Sequence, residues 1–304
     1  DREMTGYWCR IPRPQWTDGL DVLTDMVLDP LFREDDIARE KQVVYEEIRA
    51  SHDSPEARAE SILEGLLWPG QPLGRDIAGS EESVGALSRA ALLDYMATQY
   101  VPSNVVVAVA GAMPHGEVAG RVQEALDGWQ DRDSLIFEAV QDKLDGPDLS
   151  IEHRPTEQAH LAIGLHGISM THPDRYALRL LSVTFGESMS SRLFEEVREK
   201  RGLAYAISSG VAAYRDTGAL HIGSGVDPAR AEEAVEVIIA ELAKLRDGVT
   251  PEELQQAKAL SKGRLMLRME ESRAVAISVG AQALLKGSVE SIDDMLAAID
   301  AVTL

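Results

Sequence analysis

Two glutamates in the stretch "EKQVVYEEIRASHD", residues 40–53, have the side-chain type and the spacing to do chemistry. The pattern predicts an amphipathic helix at 100° per residue, with its apolar residues in one arc of under half a turn: Ile37, Val43, Val44 and Ile48. Glu40 and Glu47 fall inside that arc. A carboxylate on an apolar face needs a cation, a hydrogen-bond network or a metal, because an unpaired buried charge is costly.

Two interpretations of this acid pair follow from the residues. The acids could border a groove and pair with arginine or lysine. Alternatively, Glu47 could be a zinc ligand with Glu40 as a supporting carboxylate, since ligands are commonly oriented by further acids around them. A catalytic zinc site needs three protein ligands and an open position for water.

The other candidate ligands do not complete a zinc site. The seven histidines are His52, His115, His153, His160, His166, His172 and His221. None forms an H-x-x-x-H pair, so neither a zincin nor an inverted zincin motif is present. Cys9 is the only cysteine, which excludes an intramolecular disulfide and a thiolate cluster. Walker, dinucleotide-binding and G-x-S-x-G motifs are also absent from the sequence.

Size and composition fit a globular chain of two domains. The chain has 304 residues, of which 44% are hydrophobic. No apolar run approaches the roughly 20 residues of a membrane-spanning helix, so we expect no membrane span. The net charge of −21 argues against nucleic acid as a partner, because phosphates require a basic surface. It suits a basic peptide, or simply a soluble acidic protein.

Periodicity and capping signals predict the elements that position these residues. Helices are predicted at 17–30, 33–53, 54–68, 88–100, 114–129, 173–186, 190–202, 227–247, 250–273, 274–287 and 290–302. Strands are predicted at 104–112, 150–154 and 159–169, and a hairpin at 203–214 and 217–225. A turn-rich loop is predicted at 69–79 and a linker at 130–149.

A faint internal repeat relates the two halves of the chain. "VLTDMVLDPLFREDDIAREKQVVYEEI" and "VIIAELAKLRDGVTPEELQQAKALSKGRL" share an apolar helix, a short break, an acidic start and a second helix. With Ile37 aligned on Leu254, three further pairs follow: Lys41 with Lys258, Glu40 with Ala257, and Glu47 with Arg264. The repeat indicates two copies of one domain, with the two acids kept in one copy only.

Several motifs in order then resemble one family. They are "DREMTGYW", "IAREKQVVYEEI", "QPLGRDIAGSEESV", "YVPSNVVVAVAGAM" and "SSRLFEEVREKRGLAYAISS". Together they are similar to the pitrilysin/insulinase metallopeptidases, in particular the mitochondrial-processing-peptidase branch and its bacterial relatives. The resemblance extends over essentially the whole chain.

The resemblance implies an α+β fold of two homologous domains facing each other across a cleft. Each domain would be a mostly antiparallel sheet with helices packed on one face. Residues 1–133 would be the zinc-side domain, incomplete at its start, and residues 145–304 the substrate-binding domain, incomplete at its end.

The resemblance also implies roles for four residues. Glu47 matches the third zinc ligand, and Glu40 matches the supporting acid of the catalytic site. Arg198 and Tyr205 match a pair that binds the peptide backbone of the substrate. They flank Gly202, across which a helix end and a strand start can converge, and their N–H and O–H groups suit a polarised carbonyl oxygen.

One departure from the family pattern bears on activity. The H-x-x-E-H helix, which would supply two zinc ligands and the general base, would lie before Asp1. We therefore expect Zn²⁺ in the intact protein and little or none bound to this chain. Because all four matched residues are retained, the expected function is a zinc-dependent endopeptidase in which zinc-activated water attacks a peptide carbonyl.

The alternative function is a non-catalytic paralogue that binds peptides or scaffolds an active partner subunit. The expected partners are a peptide substrate and either a second copy or a paralogous subunit. The expected location is the bacterial cytoplasm, with the periplasm and the mitochondrion left open.

Overall fold

The computed structural model describes residues 1–133, 137–141 and 146–304, and these residues form an α+β fold. Its α-helices are α1 (Trp16–Leu28), α2 (Glu34–Asp53), α3 (Pro55–Leu67), α4 (Glu81–Ala86), α5 (Arg89–Gln99), α6 (His115–Ala125), α7 (Arg175–Gly186), α8 (Ala231–Lys244), α9 (Pro251–Met269), α10 (Ser272–Lys286) and α11 (Ile292–Ala301). A π-helix covers Phe194–Lys200, and the strands are β1 (Ala159–His166), β2 (Ala204–Ala213) and β3 (Gly218–Val226). Short 3₁₀ turns cover Arg13–Gln15, Pro72–Gly74, Pro102–Asn104, Pro228–Arg230 and Leu245–Asp247.

Local capping chemistry sets the ends of several helices. The Ser54 hydroxyl accepts from the Ala57 N–H at the start of α3, and Pro55 occupies the first helical position. The Ser88 hydroxyl accepts from the Ala91 N–H at the start of α5. Most helices predicted from the sequence are therefore confirmed to within a few residues.

Helix α4 is an element that the sequence patterns did not predict. Ser80 and Ser83 form a reciprocal capping box, in which each side chain accepts from the backbone N–H of the other. The helix has only six residues, too few to show an apolar period. Its start is set by this cap, together with the acids Glu81 and Glu82 in its first turn.

The chain divides into two compact units, each assembled from three segments. Unit 1 contains Asp1–Glu47, Ala78–Glu138 and Met266–Glu290. Unit 2 contains Ile48–Ile77, Ala139–Leu265 and Ser291–Leu304. The homologous-domain boundaries expected at 133 and 145 remain a prediction, and the predicted linker lies partly outside the described residues.

Unit 2 is built on a three-stranded antiparallel sheet in the order β1-β3-β2. The predicted hairpin is confirmed, with Tyr214 N–H donating to the Thr217 carbonyl at 2.9 Å across the turn between β2 and β3. One face of the sheet packs against α7, the π-helix and α8 in a core of buried apolar residues. That core includes Phe185, Leu193, Val197, Leu203, Ile207, Ile222, Val226, Ala234 and Ile238.

The opposite face of the same sheet is covered by α3 at strand β1. A Cβ at Gly164 would lie only 2.9 Å from the Leu63 Cδ1 and 3.0 Å from the Leu67 Cδ1. The missing side chain lets the two leucines approach the strand. Helices thus pack on both faces of this sheet, whereas the sequence led us to expect one covered face.

The described residues of 1–133 contain no strand, so a sheet in the first half is not observed. The predicted strand at 104–112 starts extended, with Val105 at φ −128° and ψ 138°, but none of the described segments pairs with its backbone. Val106, Val107 and Val109 are exposed. The strand prediction failed because apolar β-branched residues favour an extended backbone, while a strand also requires a hydrogen-bonded neighbour.

The segment 150–154 was also predicted as a strand and has no strand assignment. Its side chains instead make ion pairs in unit 2, where the Glu152 carboxylate accepts from Arg58 at 2.9 Å and from Arg154 at 2.5 Å. These two hydrogen bonds lower the pKa of Glu152.

Across the described ranges, none of the helices has both the length and the apolar character needed to span a bilayer.

Candidate functional site

Helix α2 carries the two glutamates and is stabilised at its start and near the middle of its unit 1 portion. Glu34, Asp35 and Asp36 occupy the first turn, where negative charge complements the helix dipole. The Lys41 Nζ donates to the Gly85 carbonyl at the end of α4, at 2.8 Å. These contacts fix the helix and leave the side chains of Glu40 and Glu47 uninvolved in holding it.

Glu40 and Glu47 are both exposed, and neither side chain makes a hydrogen bond or an ion pair with any residue that the structure describes. Val43, which lies between them on the helix, is 50% exposed. Ile48 is the residue of α2 that is fully buried. The expectation that the two acids face a covered apolar surface is therefore wrong for this structure, because the arc is open at Glu40, Val43 and Glu47. The other apolar residues of the arc are half-buried or buried: Ile37, Val44 and Ile48.

The exposure of the two acids bears on one of their two interpretations, the one in which they border a groove and pair with arginine or lysine. No arginine or lysine of the described chain neutralises either carboxylate, so the groove-and-cation interpretation has no support within these residues. Both carboxylates keep their oxygens available to a ligand.

The described residues fit a zinc ion only in part. They contain no group of three or more histidine, cysteine, aspartate or glutamate side chains placed to hold a metal ion. A catalytic zinc needs three protein ligands, and Glu47 would provide one. No step of a reaction can be derived from this partial site.

Arg198 lies on the π-helix, and its position is fixed by the turn that follows. The Gly202 N–H donates to the Arg198 carbonyl at 3.0 Å, and the Leu203 N–H donates to the Val197 carbonyl at 2.8 Å. Gly202 has φ +58°, a left-handed conformation that glycine adopts without strain. Val197 and Leu203 are buried in the core, which holds the turn and directs Arg198 outward.

Tyr205 is the extra residue of a β-bulge. Ala204 pairs with Val226 and Ala206 pairs with Gly225, so Tyr205 has no partner on β3. Regular alternation would place only every second residue outside, yet Tyr205 and Ala206 are both exposed. The bulge turns the phenol out of the sheet, and Tyr205 is 80% exposed.

The turn and the bulge bring the two side chains together. The Arg198 Cζ lies 5.3 Å from the Tyr205 ring centroid and 4.6 Å from the Phe194 ring centroid. The two aromatic rings support the guanidinium by cation–π contact. The predicted convergence of Arg198 and Tyr205 across Gly202 is confirmed as geometry, and it brings the N–H donors of the arginine close to the O–H donor of the tyrosine.

A neighbouring acid on the π-helix is neutralised locally. Lys200 donates to Glu196, and this hydrogen bond lowers the pKa of the Glu196 carboxyl. Arg198 has an ion-pair contact with Glu199 at 3.7 Å between Nε and Oε1. At that distance the contact leaves the guanidinium N–H groups free to bind another acceptor.

Sequence reasoning missed two parts of this arrangement. Phe194 stands four residues before Arg198, a helical spacing at which side chains meet, and that signal could have identified the ring. The bulge at Tyr205 had no comparable signal. It depends on the register between β2 and β3, which the residues of β2 alone do not reveal.

Family models match both parts of the chain. The model described as "Peptidase M16 inactive domain" matches residues 86–261, and the model described as "Insulinase (Peptidase family M16)" matches residues 1–81. An uncharacterized zinc protease of Bacillus subtilis, YmxG, is 33% identical over 308 residues, covering 100% of this chain and 74% of that protein.

Two solved structures share the fold. A protease from Helicobacter pylori superposes with a TM-score of 0.86 at 21% identity, covering 96% of this chain and 72% of that chain. A peptidase M16 inactive domain from Pseudomonas fluorescens has a TM-score of 0.85 at 23% identity, covering 96% of this chain and 70% of that chain. At these identities the two likenesses concern the fold.

Proposed function

The chain belongs to the insulinase (peptidase M16) family, and from this premise we propose that the protein is a zinc-dependent endopeptidase of the processing-peptidase type. The arrangement of two homologous domains across a cleft is part of this proposal and rests on the family resemblance. The bacterial relative named a zinc protease supports the metal and the reaction class.

The observation that carries the proposal is the pair of exposed, unpaired carboxylates on α2. Exposed acids without a neighbouring cation also occur elsewhere, as at Glu60, so the proposal rests on the position of this pair two turns apart on one face of α2. Glu40 and Glu47 lack a neighbouring cation among the described residues, although they share an apolar arc with Val43. In the proposal Glu47 is a ligand of the zinc ion, and Glu40 orients the site.

The proposal requires two more protein ligands. They would come from a further segment of the same protein or from a partner subunit, because the described residues supply no histidine pair. The bound ion would supply an activated water. The residues of this chain would then hold the substrate: Arg198 and Tyr205 donate hydrogen bonds to a peptide carbonyl, which stabilises the negative charge that develops there.

Metal content tests this proposal directly. The full-length protein would be dialysed against zinc, and its metal content and peptidase activity compared with those of the Glu47→Gln, Glu40→Gln and Glu60→Gln variants. We expect Glu47→Gln to lose zinc and activity, and Glu40→Gln to weaken zinc binding by roughly 10–100-fold. Glu60 is the matched control, an exposed glutamate of α3 without a described partner.

The experiment also separates the alternative function. A full-length protein without zinc that still binds peptides would be the non-catalytic paralogue, acting as a peptide-binding or scaffolding subunit. The match to a model described as an inactive domain keeps this alternative in view. Zinc that is bound equally by all four proteins would remove Glu47 from the site.

Partner and location complete the proposal. We propose a homodimer, or a heterodimer with a paralogous subunit, acting on peptides in the bacterial cytoplasm. The matched relative is bacterial, and the acidic charge of −21 suits basic peptides. Light scattering of the full-length protein and fractionation of the cells would test these two points.

A further inference from the structure

Unit 2 contains a polar pocket that the proposed peptidase site does not use. It has a volume of about 400 Å³, within the range of pockets that hold small molecules. Its lining residues come from α7, the segment after it, α9 and the hairpin: Arg179, Glu187, Ser208, Ser209, Gly210, Val211, His221 and Arg264. Ser208 and Ser209 point to opposite faces of strand β2, so the pocket wraps around the outer edge of that strand.

Glu187, the acid among the lining residues, already has hydrogen-bond partners for both carboxylate oxygens. The Ser182 hydroxyl donates to Glu187 Oε1 at 2.7 Å, and the Arg264 Nη1 donates to Glu187 Oε2 at 3.0 Å. The Arg264 Nη2 also donates to the Glu187 main-chain carbonyl at 2.8 Å. Glu187 is thus held by Ser182 and Arg264.

Arg179 has no counter-ion among the residues that the structure describes. Its guanidinium makes no hydrogen bond or ion pair with any residue in the described part of the chain. Five N–H donors therefore remain available to an acceptor that enters the pocket.

His221 adds a further polar group from the sheet. It pairs with Gly210 across the hairpin, and a Cβ at Gly210 would lie 2.6 Å from the His221 Nε2. Only glycine leaves room for the imidazole over strand β2. The Ser208 hydroxyl is exposed beside it and, like the imidazole, makes no hydrogen bond with a described residue.

We propose that this pocket binds a carboxylate group. Two arginines against one glutamate leave one net positive charge when His221 is neutral, and that charge matches a single carboxylate. A phosphate near −2 would leave excess negative charge beside Glu187. The forked N–H groups of Arg179 fit the two oxygens of a carboxylate, and the exposed hydroxyl of Ser208 can add a further hydrogen bond. The Ser209 hydroxyl is buried and already donates to the Ser182 carbonyl at 3.0 Å.

The carboxylate can come from a peptide or from a small free acid, and the test separates the two. Calorimetric titrations of the full-length protein would use acetate, an N-acetylated tetra-alanine with a free C-terminus, and the same peptide as its C-terminal amide. We expect binding of the free acid and none of the amide. Tighter binding of the peptide than of acetate would identify a peptide carboxylate, and equal binding would identify a small free acid.

Variants then locate the site. Arg179→Gln should weaken carboxylate binding at least about tenfold, because it removes a charged donor. Glu187→Gln should strengthen binding several-fold, because it removes the only negative charge while keeping an acceptor for Ser182. Arg246→Gln is the matched control, an exposed arginine of unit 2 outside the pocket with no described partner. Thermal unfolding would establish that each variant is folded.

Three results would overturn the proposal. Equal binding of the peptide amide would show that the carboxylate is not recognised. Equal or tighter binding of inorganic phosphate would assign the pocket to another anion. Equal weakening by Arg246→Gln would show that general charge, and not the pocket, attracts the acid. None of these outcomes depends on zinc or on peptidase activity, so failure here is distinguishable from failure of the proposed function.

Discussion

Helices α2 and α9 occupy equivalent places in the internal repeat. One pair of equivalent side chains makes the same kind of contact, whereas two other pairs lie in different environments. The equivalent lysines of the two helices both bind backbone carbonyls. Lys41 donates to the Gly85 carbonyl, and Lys258 donates to the Asp300 and Val302 carbonyls. The offset along the chain that pairs Lys41 with Lys258 also pairs Gly85 with Val302. Each lysine thus binds the backbone where a later helix ends.

The acid positions differ between the two helices. Ala257 stands where α2 has Glu40, and it is 2% exposed in a cluster with Leu180, Val183 and Ile299. Arg264 stands where α2 has Glu47, and it forms an ion pair with Glu187. In α9 the two positions serve packing and local charge balance. In α2 they serve neither, which supports a role for Glu40 and Glu47 in binding.

The largest expected effect comes from giving α9 an acid of α2. Ala257→Glu places a carboxylate in an apolar cluster and also overfills it, so we expect a loss of about 3 kcal/mol or more in the free energy of unfolding. Ala259→Glu is the matched control, since Ala259 is exposed on the same helix. Denaturant unfolding would measure both. Equal, small losses would show that the Ala257 environment tolerates an acid, and the contrast with Glu40 would disappear.

The next largest expected effect is on peptide turnover and concerns the hydrogen-bond donors Arg198 and Tyr205 of unit 2. Helix α2 has no counterpart of this pair. In the full-length protein, Arg198→Ala should lower kcat/KM for a peptide by about 10–100-fold, which corresponds to about 1.5–3 kcal/mol for a charged donor. Tyr205→Phe should have a smaller effect, because the phenol is a neutral donor. Zinc content should not change in either variant.

The control for this pair is Arg201→Ala, which removes the same charge three residues further along the same turn. Tyr205 is 80% exposed, so the phenylalanine variant should unfold at the same denaturant concentration as the wild type. Normal turnover in both Arg198→Ala and Tyr205→Phe would mean that the pair is ordinary surface packing.

A third experiment tests the feature that the two helices share. Lys258→Met should reduce the free energy of unfolding by about 2 kcal/mol and Lys41→Met by about 1 kcal/mol, since Lys258 bonds two carbonyls and Lys41 bonds one. Methionine keeps most of the length of the side chain. Denaturant unfolding would be followed by far-ultraviolet circular dichroism. A negligible loss in both variants would show that the lysines are not anchors, and the structural side of the repeat would lose its support.

The sequence predicted those features that depend on local chemistry. Ser54 and Ser88 correctly predicted the starts of two helices, and Gly202 correctly predicted the turn between Arg198 and Tyr205. The repeat paired Lys41 with Lys258 correctly, because both helices keep the same residue at that position.

Features that depend on distant partners could not be predicted. The bulge at Tyr205 follows from the register with β3, and the missing strand at 104–112 follows from the lack of a paired neighbour among the described segments. The exposure of Glu40 and Glu47 is of the same kind. A helical period shows which residues share a face, but only the surrounding chain decides whether that face is covered.

The smallest expected effect is on stability and concerns Glu47 itself. With a chelator present, Glu47→Gln should change the free energy of unfolding of the full-length protein by less than about 0.5 kcal/mol, because the side chain is exposed and contacts no described partner. Arg264→Gln should cost about 1 kcal/mol, a value kept low because the arginine side chain is 47% exposed. When zinc is added, the wild type should gain about 2.7 kcal/mol at a hundred times the dissociation constant, and Glu47→Gln should gain much less. A loss from Glu47→Gln in the chelated protein as large as that from Arg264→Gln would contradict the comparison, because it would give the acid of α2 the same stabilising role as the arginine of α9.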